Sequence, residues 1–283
     1  NDASTVSASS TSLAAILEDA ASPSGDLVSN LFSGLLVDTV DVVASGSSAN
    51  TLAGIAITTN ASNATTEGVW KYSIDGTNWS AVGNVSTSSA LLVSVASRLR
   101  FLPSADYNGT PPGLVVRLVD NSVSTTFSSS SGATFARTTA DVSDDLTKSG
   151  GSTRFTDSAN AVTLSTSVTA VNDAPTSTDT SVTFNEDATQ VLAISHFGTY
   201  SDGEGTAISG VKITTLPTVG TLQYNSGSWT TVTLNQVITK ADIDGGKLRF
   251  VPAANANGSP YATIGFQVSD GTLYSTAYTL TVN

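Results

Sequence analysis

The sequence predicts an all-β protein made of two β-sandwich domains in tandem. Three observations indicate this fold. Thr, Ser, Val, Gly and Asn are abundant while Lys, Glu and Arg are scarce, which is the usage of strands and turns. Short runs of alternating polarity are separated by turn residues at the spacing typical of sandwiches. The chain also repeats itself, and 283 residues suffice for two domains that each bury a core.

The internal repeat is carried by several motifs that recur in the same order. The stretch Leu99–Gly109 (LRFLPSADYNG) returns as Leu248–Gly258 (LRFVPAANANG). Asn172-Asp173-Ala174 repeats the Asn-Asp-Ala with which the sequence opens, and Val282-Asn283 repeats Val171-Asn172. Self-similarity of this kind indicates duplicated modules. We therefore expect a first domain over residues 1–171, a second over 172–283, and a chain that stops where a third repeat would begin.

The first domain is longer because of two insertions. One lies before Gly68, and the other covers about 121–160. The second insertion contains a serine run and the acids Asp141, Asp144 and Asp145. It is predicted to be a long hairpin or mobile loop at the sandwich edge, with solvated acids, since long loops are either functional or disordered.

The predicted strands follow from alternating runs between turn signals. In the first domain they are Thr51–Thr58, Val69–Ser73, Trp79–Val82, Ala90–Val95, Arg98–Leu102, Leu114–Val119 and Val162–Val171. In the second they are Ser181–Phe184, Ser209–Thr214, Gly220–Tyr224, Thr230–Leu234, Lys247–Val251, Thr263–Ser269 and Ala277–Val282. Two short segments at matching places, Asp26–Phe32 and Gln190–Phe197, are predicted to form single helical turns.

The boundary between the domains is the polar stretch Val171-Asn172-Asp173-Ala174-Pro175. The residue before a proline is pushed to extended geometry, and proline has no N–H for a sheet ladder. This stretch therefore ends one strand and begins a stiff connection. It is either a plain polar linker or a metal-binding joint, because Asp173 and Asn172 also bring a carboxylate and an amide oxygen to it.

Acidic residues recur near the predicted strand ends. Because consecutive antiparallel strands alternate in direction, we expect the acids to gather at the two ends of each sandwich. Asp173, Asp202, Glu204 and Asp270 are predicted to share one end. Glu186, Asp242, Asp244 and Asn283 are predicted to share the other. Ca²⁺ takes six to eight oxygen ligands and tolerates irregular geometry, so it suits such clusters.

Composition excludes several function classes. The net charge of −12 argues against nucleic-acid binding, which needs a basic surface. The absence of cysteine excludes thiol catalysis and zinc-thiolate sites, and the single His196 leaves no multi-histidine site. No apolar run is long enough to span a bilayer. A chain without Met that starts at Asn1 is expected to be a fragment whose export signal lies outside it.

Taken together, Asn172-Asp173-Ala174-Pro175, the acidic pair after the first strand, the Asp202-x-Glu204 loop and the terminal Asp270-Gly resemble the cadherin-like or Ig-like tandem repeats of giant bacterial RTX-type adhesins. The resemblance covers nearly the whole chain. It implies a Ca²⁺-binding β-sandwich that is secreted to the bacterial cell surface for adhesion or extension, with neighbouring repeats of the same chain as its partners.

Carried over by position, the resemblance assigns three groups of calcium ligands. The joint would use residues of the linker and of both modules, namely Glu18, Asn172, Asp173, Asp202, Glu204 and Asp270. An incomplete site at the start would use Asp2, Asp38 and Asp120. A third site at the end would use Glu186, Asp242, Asp244 and Asn283.

The function that this sequence favours is a calcium-stiffened extender or adhesion segment without enzymatic activity. No Gly-x-Ser-x-Gly elbow is present, and nothing singles out a pair of carboxylates across a cleft. The alternative is a module that binds a surface glycan or peptide through the insertions of the first domain. Trp70, Trp79 and Trp229 are expected to pack in the cores, and His196 to be structural.

Overall fold

A computed structural model describes residues 4–38, 49–144, 147–149 and 153–283, and the chain divides into unit 1, Asn1–Val171, and unit 2, Asn172–Asn283. The prediction of an all-β fold is confirmed. Each unit has a larger, mostly antiparallel sheet and a smaller antiparallel sheet, and the apolar faces of the two sheets meet in one core. No helix in the described part of the chain is long and apolar enough to cross a membrane.

The strands of unit 1 are β1 (Thr5–Val6), β2 (Ser10–Ser12), β3 (Ile16–Leu17), β4 (Asp26–Leu27), β5 (Leu36–Val37), β6 (Leu52–Asn60), β7 (Gly68–Ser73), β8 (Ser80–Ala81), β9 (Ala90–Ser94), β10 (Arg98–Pro103), β11 (Leu114–Asp120), β12 (Ser129–Ser131), β13 (Thr134–Ala136), β14 (Thr139–Ala140), β15 (Val162–Ser165) and β16 (Val168–Thr169). A short helix α1 spans Val28–Phe32, and a 3₁₀ turn spans Ser158–Asn160.

The strands of unit 2 are β17 (Thr180–Val182), β18 (Gln190–Val191), β19 (Gly210–Thr215), β20 (Thr221–Asn225), β21 (Trp229–Thr231), β22 (Val237–Thr239), β23 (Leu248–Val251), β24 (Ala262–Ser269) and β25 (Tyr278–Val282). A 3₁₀ turn spans Ile194–Phe197, and helix α2 spans Lys240–Asp244.

Both units have the same strand order, which is the arrangement that a duplicated sequence gives. The larger sheet is ordered β14-β9-β6-β11-β15-β2 in unit 1 and β22-β19-β24-β25-β17 in unit 2, so β14 is an added edge strand. The smaller sheet is ordered β4-β10-β7-β8 in unit 1 and β18-β23-β20-β21 in unit 2. In both larger sheets an early strand runs parallel to a late one: β2 pairs with β15, and β17 with β25.

The cores follow from inward-facing residues at every second position. In unit 1, Trp70 packs edge-on against Phe101 with ring centroids 5.3 Å apart. In unit 2, Phe197 packs edge-on against Phe266 at 5.2 Å. Each pair joins two elements of its unit, so the aromatic rings help to hold those elements in place.

The insertion at 121–160 departs from its prediction. It does contain a hairpin, β12–β13, and β14 extends the sheet edge by pairing with β9. Within the described part of the remainder, Phe155 and Val142 do not lie in a solvated loop, because they pack on Ala56 and Val119 to form a second apolar cluster. Its acids are paired where the structure describes them: Asp144 with the buried Arg117 at 2.9 Å, and Asp141 with Lys148 at 2.7 Å. Asp145 lies outside the described residues.

Sequence reasoning missed several short elements. The predicted strand Val162–Val171 is broken into β15 and β16, and the early strands β1, β2, β3 and β5 were not predicted. β22 and α2 were missed as well. The signal for α2 was present, since Thr239 caps the helix by accepting a hydrogen bond from the N–H of Asp242 at 3.1 Å.

Candidate metal centre

The candidate site lies at one end of unit 2, where three segments of the chain come together. β24 ends beside the start of β19, with Ser269 paired to Gly210, so Asp270 lies next to the loop that enters β19. The linker is tied to that same loop, because the N–H of Thr176 donates to the carbonyl of Ser201 at 2.7 Å. The fold thereby brings the linker, the Tyr200–Gly205 loop and Asp270 to one place.

Two pairs of the predicted ligands of unit 2 are in contact there. The side-chain amide of Asn172 donates to a carboxylate oxygen of Asp270 at 2.8 Å, and the N–H of Asp173 donates to Glu204 at 3.1 Å. Asp202 accepts from the N–H of Thr206 at 2.7 Å. Of the unit 2 members of the predicted joint site, the structure therefore pairs Asn172 with Asp270 and Asp173 with Glu204, and it places Asp202, Glu204 and Asp270 close enough to Tyr200 to affect its pKa.

The phenol of Tyr200 reports the charge of this cluster. Its pKa is raised to about 12, first by burial and then by the negative charges of Asp202, Asp270 and Glu204. Asp270 shows the opposite shift. Its pKa is lowered mainly by the hydrogen bond from the N–H of Leu273, with the Asn172 amide adding to the effect against the opposing influence of burial.

Asp202, Glu204 and Asp270 are not neutralised by the ion pairs in the described part of the chain. The ion pairs found there are Arg117–Asp144, Lys148–Asp141, Lys240–Asp244 and Lys247–Asp242, and none includes Asp202, Glu204 or Asp270. Carboxylates held together without a cation repel one another. The donor set is made of oxygens without thiolate or imidazole, which suits a hard cation of flexible coordination such as Ca²⁺ better than zinc.

Glu18, the predicted ligand from unit 1, is buried at 3% exposure. Its carboxylate accepts from the N–H of Val171 and from the side-chain amide of Asn108, the latter at 3.2 Å. Unit 2 repeats the second contact, since Asn257 donates to Glu186 at 3.1 Å. Sequence reasoning missed these asparagines. The signal was their shared place in the duplicated Asn-Gly loops.

The predicted site at the start of the chain is described only in part, because Asp2 lies outside the described residues. Asp120 is fully buried and accepts from the hydroxyl of Ser4 at 2.9 Å and from the N–H of Ser122 at 2.8 Å. Asp38 is also buried and accepts from the N–H of Asn50 at 3.0 Å. Whether these residues bind calcium stays a prediction.

The structure does not bring the third predicted group together. Glu186 and Asn283 line a small cavity of about 60 Å³ together with Pro252, just after the end of β23. Asp242 and Asp244 lie on α2, before the start of β23, so they are at the opposite end of the unit. The physical reason is the missed strand β22, since one extra strand reverses the end at which the next loop emerges.

The carboxylates of Asp242 and Asp244 are paired with other side chains of unit 2. Lys247 donates to Asp242 at 2.6 Å, and the hydroxyl of Tyr224 donates to the same carboxylate at 2.6 Å. The hydrogen bond from Lys247 is the main cause of the lowered pKa of Asp242. Asp244 pairs with Lys240 on the same helix. These are surface ion pairs of α2.

Two of the three tryptophans also differ from the prediction. Trp70 is buried in the core, and its indole N–H donates to the carbonyl of Pro112 at 2.9 Å. Trp79 and Trp229 are only partly buried and stack on the guanidinium groups of Arg100 and Arg249 on the outer faces of the smaller sheets.

His196 has a structural role. Its Nδ1 accepts from the N–H of Ala193 at 3.1 Å, and burial lowers its pKa. Its ring centroid lies 6.2 Å from that of Phe184.

Comparison with known proteins assigns no family. No family model matches the chain, and no curated protein matches it. Solved structures with some similarity include the protocadherin gamma B4 extracellular domain, with a TM-score of 0.40, 12% identity and coverage of 100% of this chain and 35% of that chain. Extracellular cadherin domains 3–6 of protocadherin gamma B2 give a TM-score of 0.38, 12% identity and coverage of 100% and 52%. The enterotoxigenic E. coli adhesin CfaE gives a TM-score of 0.27, 12% identity and coverage of 100% and 97%.

This chain thus spans about a third and about half of the two protocadherin structures. TM-scores this low do not assign a function.

Proposed function

We propose that this chain is a calcium-binding extension or adhesion segment of a surface-exposed protein, without enzymatic activity. The observation that carries the proposal is the cluster in unit 2. The carboxylates of Asp202, Glu204 and Asp270 lie close enough to Tyr200 to raise its pKa, and none of the three takes part in the ion pairs of the described residues. A divalent cation would remove the repulsion among these groups.

The proposed mechanism is mechanical. Val171 is held within unit 1 by Glu18, and the next residue, Asn172, is held within unit 2 by Asp270. Calcium bound by Asn172, Asp173, Asp202, Glu204 and Asp270 would fix the backbone of the linker from the unit 2 side. A cation that binds only the folded state also stabilises it by mass action, by about 2.7 kcal/mol when its concentration is 100 times the dissociation constant.

An extracellular location agrees with such a site, because calcium sites in extracellular modules bind with dissociation constants of roughly 10⁻⁴–10⁻³ M. The extension role is preferred to ligand binding through the insertion at 121–160. That insertion buries Phe155, one of its three phenylalanines, against the larger sheet of unit 1, as a structural element does.

Terbium luminescence tests the position of the ion. Tb³⁺ is expected to replace Ca²⁺ and to be sensitised by excitation of Tyr200, because the phenol lies among the proposed ligands. We expect emission that calcium competes away. Tyr200→Phe should remove most of the emission while calcium binding, measured by calorimetry, persists.

The matched control is Tyr261→Phe, since Tyr261 lines the cavity with Glu186 at the other end of unit 2. This change should leave the emission intact. Loss of emission in Tyr261→Phe and not in Tyr200→Phe would place the ion at the wrong end and overturn the assignment.

A further inference from the structure

The outer faces of the two smaller sheets carry the same arginine–tryptophan stack. The Cζ of Arg100 lies 4.0 Å from the ring centroid of Trp79, and that of Arg249 lies 3.8 Å from the ring centroid of Trp229. Both arginines point away from the cores, because their strand neighbours Leu99, Phe101, Leu248 and Phe250 are fully buried.

In unit 1 this arginine is covered by a segment of the chain itself. The segment Ser22–Gly25, which precedes β4, has no counterpart of equal length in unit 2. Arg100 donates to the hydroxyl of Ser22 and to the carbonyl of Pro23, both at 3.1 Å, and is only 7% exposed. Arg98 donates to the carbonyls of Ser24 at 3.3 Å and Gly25 at 3.2 Å.

The close fit of the segment depends on a glycine. Gly25 has a φ of +58°, and a Cβ there would lie 2.1 Å from the carbonyl oxygen of Leu99. The segment therefore resembles a bound peptide. Its small residues lie directly against the sheet, and its backbone carbonyls accept hydrogen bonds from the two arginines.

In unit 2 the equivalent surface is open. We call it the Arg249 face. It is formed by neighbouring residues on the four strands of the smaller sheet: Val191 on β18, Arg249 on β23, Gln223 on β20, and Thr231 and Trp229 on β21. Arg249 uses its Nε to donate to Gln223 at 2.9 Å. Among the residues that the structure describes, no acceptor is present for its two terminal nitrogens. Val191 on the edge strand is 47% exposed.

We propose that the Arg249 face binds an extended peptide rich in Ser, Pro and Gly, in the manner in which Ser22–Gly25 covers Arg100 in unit 1. The guanidinium offers two terminal nitrogens in a fixed fork, which match carbonyl and hydroxyl acceptors along an extended backbone. The ring of Trp229 stacks on this guanidinium and restricts its motion, so the arginine side chain loses little conformational entropy on binding. The occupant seated on the equivalent face of unit 1 is a peptide, which favours a peptide over a glycan.

The test uses the whole chain labelled with ¹⁵N and the capped, uncharged peptide Ala-Ala-Ser-Pro-Ser-Gly, the sequence of residues 20–25. The three tryptophans give three indole N–H signals. We expect millimolar peptide to shift the Trp229 signal in a saturable way and to leave the Trp79 and Trp70 signals in place. Arg249→Gln should weaken binding about tenfold or more, and Arg249→Lys should weaken it to a smaller extent, because the charge remains and the fork is lost.

Lys212→Gln removes a cation from the other sheet of unit 2 and should not change the titration. No shift of Trp229, or equal shifts in wild type and Arg249→Gln, would overturn the proposal. So would a Trp229 signal that responds to oligosaccharides and not to the peptide, because the face would then be a sugar site. Since the peptide carries no charge and the titration is run in EDTA, failure here leaves the calcium proposal untouched.

Discussion

Phe155→Ala is expected to destabilise unit 1 by roughly 3–5 kcal/mol, the usual cost of truncating a buried phenylalanine. Phe155 is 6% exposed and packs with Val142 on Ala56 and Val119, on the face of the larger sheet opposite the main core. Its loss would leave a cavity beneath the insertion and uncover apolar residues of β6 and β11. Urea denaturation followed by circular dichroism measures the effect, with the unit 2 transition as an internal reference.

Val123→Ala is the matched control, because Val123 belongs to the same insertion and is 52% exposed. Its effect should stay within about 0.5 kcal/mol, as for most surface substitutions. If the insertion were a mobile loop, Phe155→Ala would be as mild as Val123→Ala, and the account of a second apolar cluster would be wrong.

Asp270→Ala is expected to cost unit 2 roughly 2–4 kcal/mol even in EDTA. The carboxylate is 8% exposed and accepts from the N–H groups of Thr272 at 2.6 Å and Leu273 at 2.7 Å, and from the Asn172 amide at 2.8 Å. Removing a buried charged acceptor loses these bonds and leaves their donors unpaired. Thermal unfolding with calcium chelated checks this expectation.

The pH dependence of this contribution has a definite sign. The pKa of Asp270 is lowered in the folded state from its ordinary 3.8. The Asp270 carboxyl therefore binds a proton more readily in the unfolded chain than in the folded one. The stability that its carboxylate contributes is fully present above about pH 4. It is lost as the pH falls from there through the folded-state pKa. Asp270→Ala should flatten this acid limb.

Asp244→Ala serves as the control for Asp270→Ala, because Asp244 forms an exposed ion pair with Lys240 within α2. Exposed pairs contribute little to stability. An Asp270 variant that melts like the Asp244 variant would show that the hydrogen-bonded end of unit 2 is not a stabilising structure.

The sequence predicted the fold class and most of the long strands, because alternation and turn residues are local signals. It did not predict that the insertion covers a sheet. The strands beneath the insertion did carry a signal for this. Every residue of Gly54–Thr58 in β6 and of Ala90–Val93 in β9 is buried, whereas an antiparallel strand with one face in solvent would alternate between buried and exposed residues. Continuous apolar runs indicate strands covered on both faces.

The candidate site was predictable to the extent that its residues lie at the ends of predicted strands. Asp202 and Glu204 lie before β19 and Asp270 directly after β24, two strands that the sequence predicted and that pair at this end of the unit. Asp242 and Asp244 were placed at the wrong end because β22 is short and has exposed apolar residues such as Val237, 49% exposed, which hide its strand pattern. Contacts such as Glu18 with Asn108 depend on pairings distant in sequence, which periodicity does not reveal.

Calcium titration by isothermal calorimetry tests the central claim most directly. The wild-type chain should bind calcium saturably with a dissociation constant of roughly 10⁻⁴–10⁻³ M. Asp202→Asn combined with Glu204→Gln, or Asp270→Asn alone, should weaken that binding at least tenfold, whereas Asp242→Asn combined with Asp244→Asn should not. Absence of calcium-dependent heat in the wild-type chain, or binding that survives the first set of changes and disappears with the second, would contradict the account.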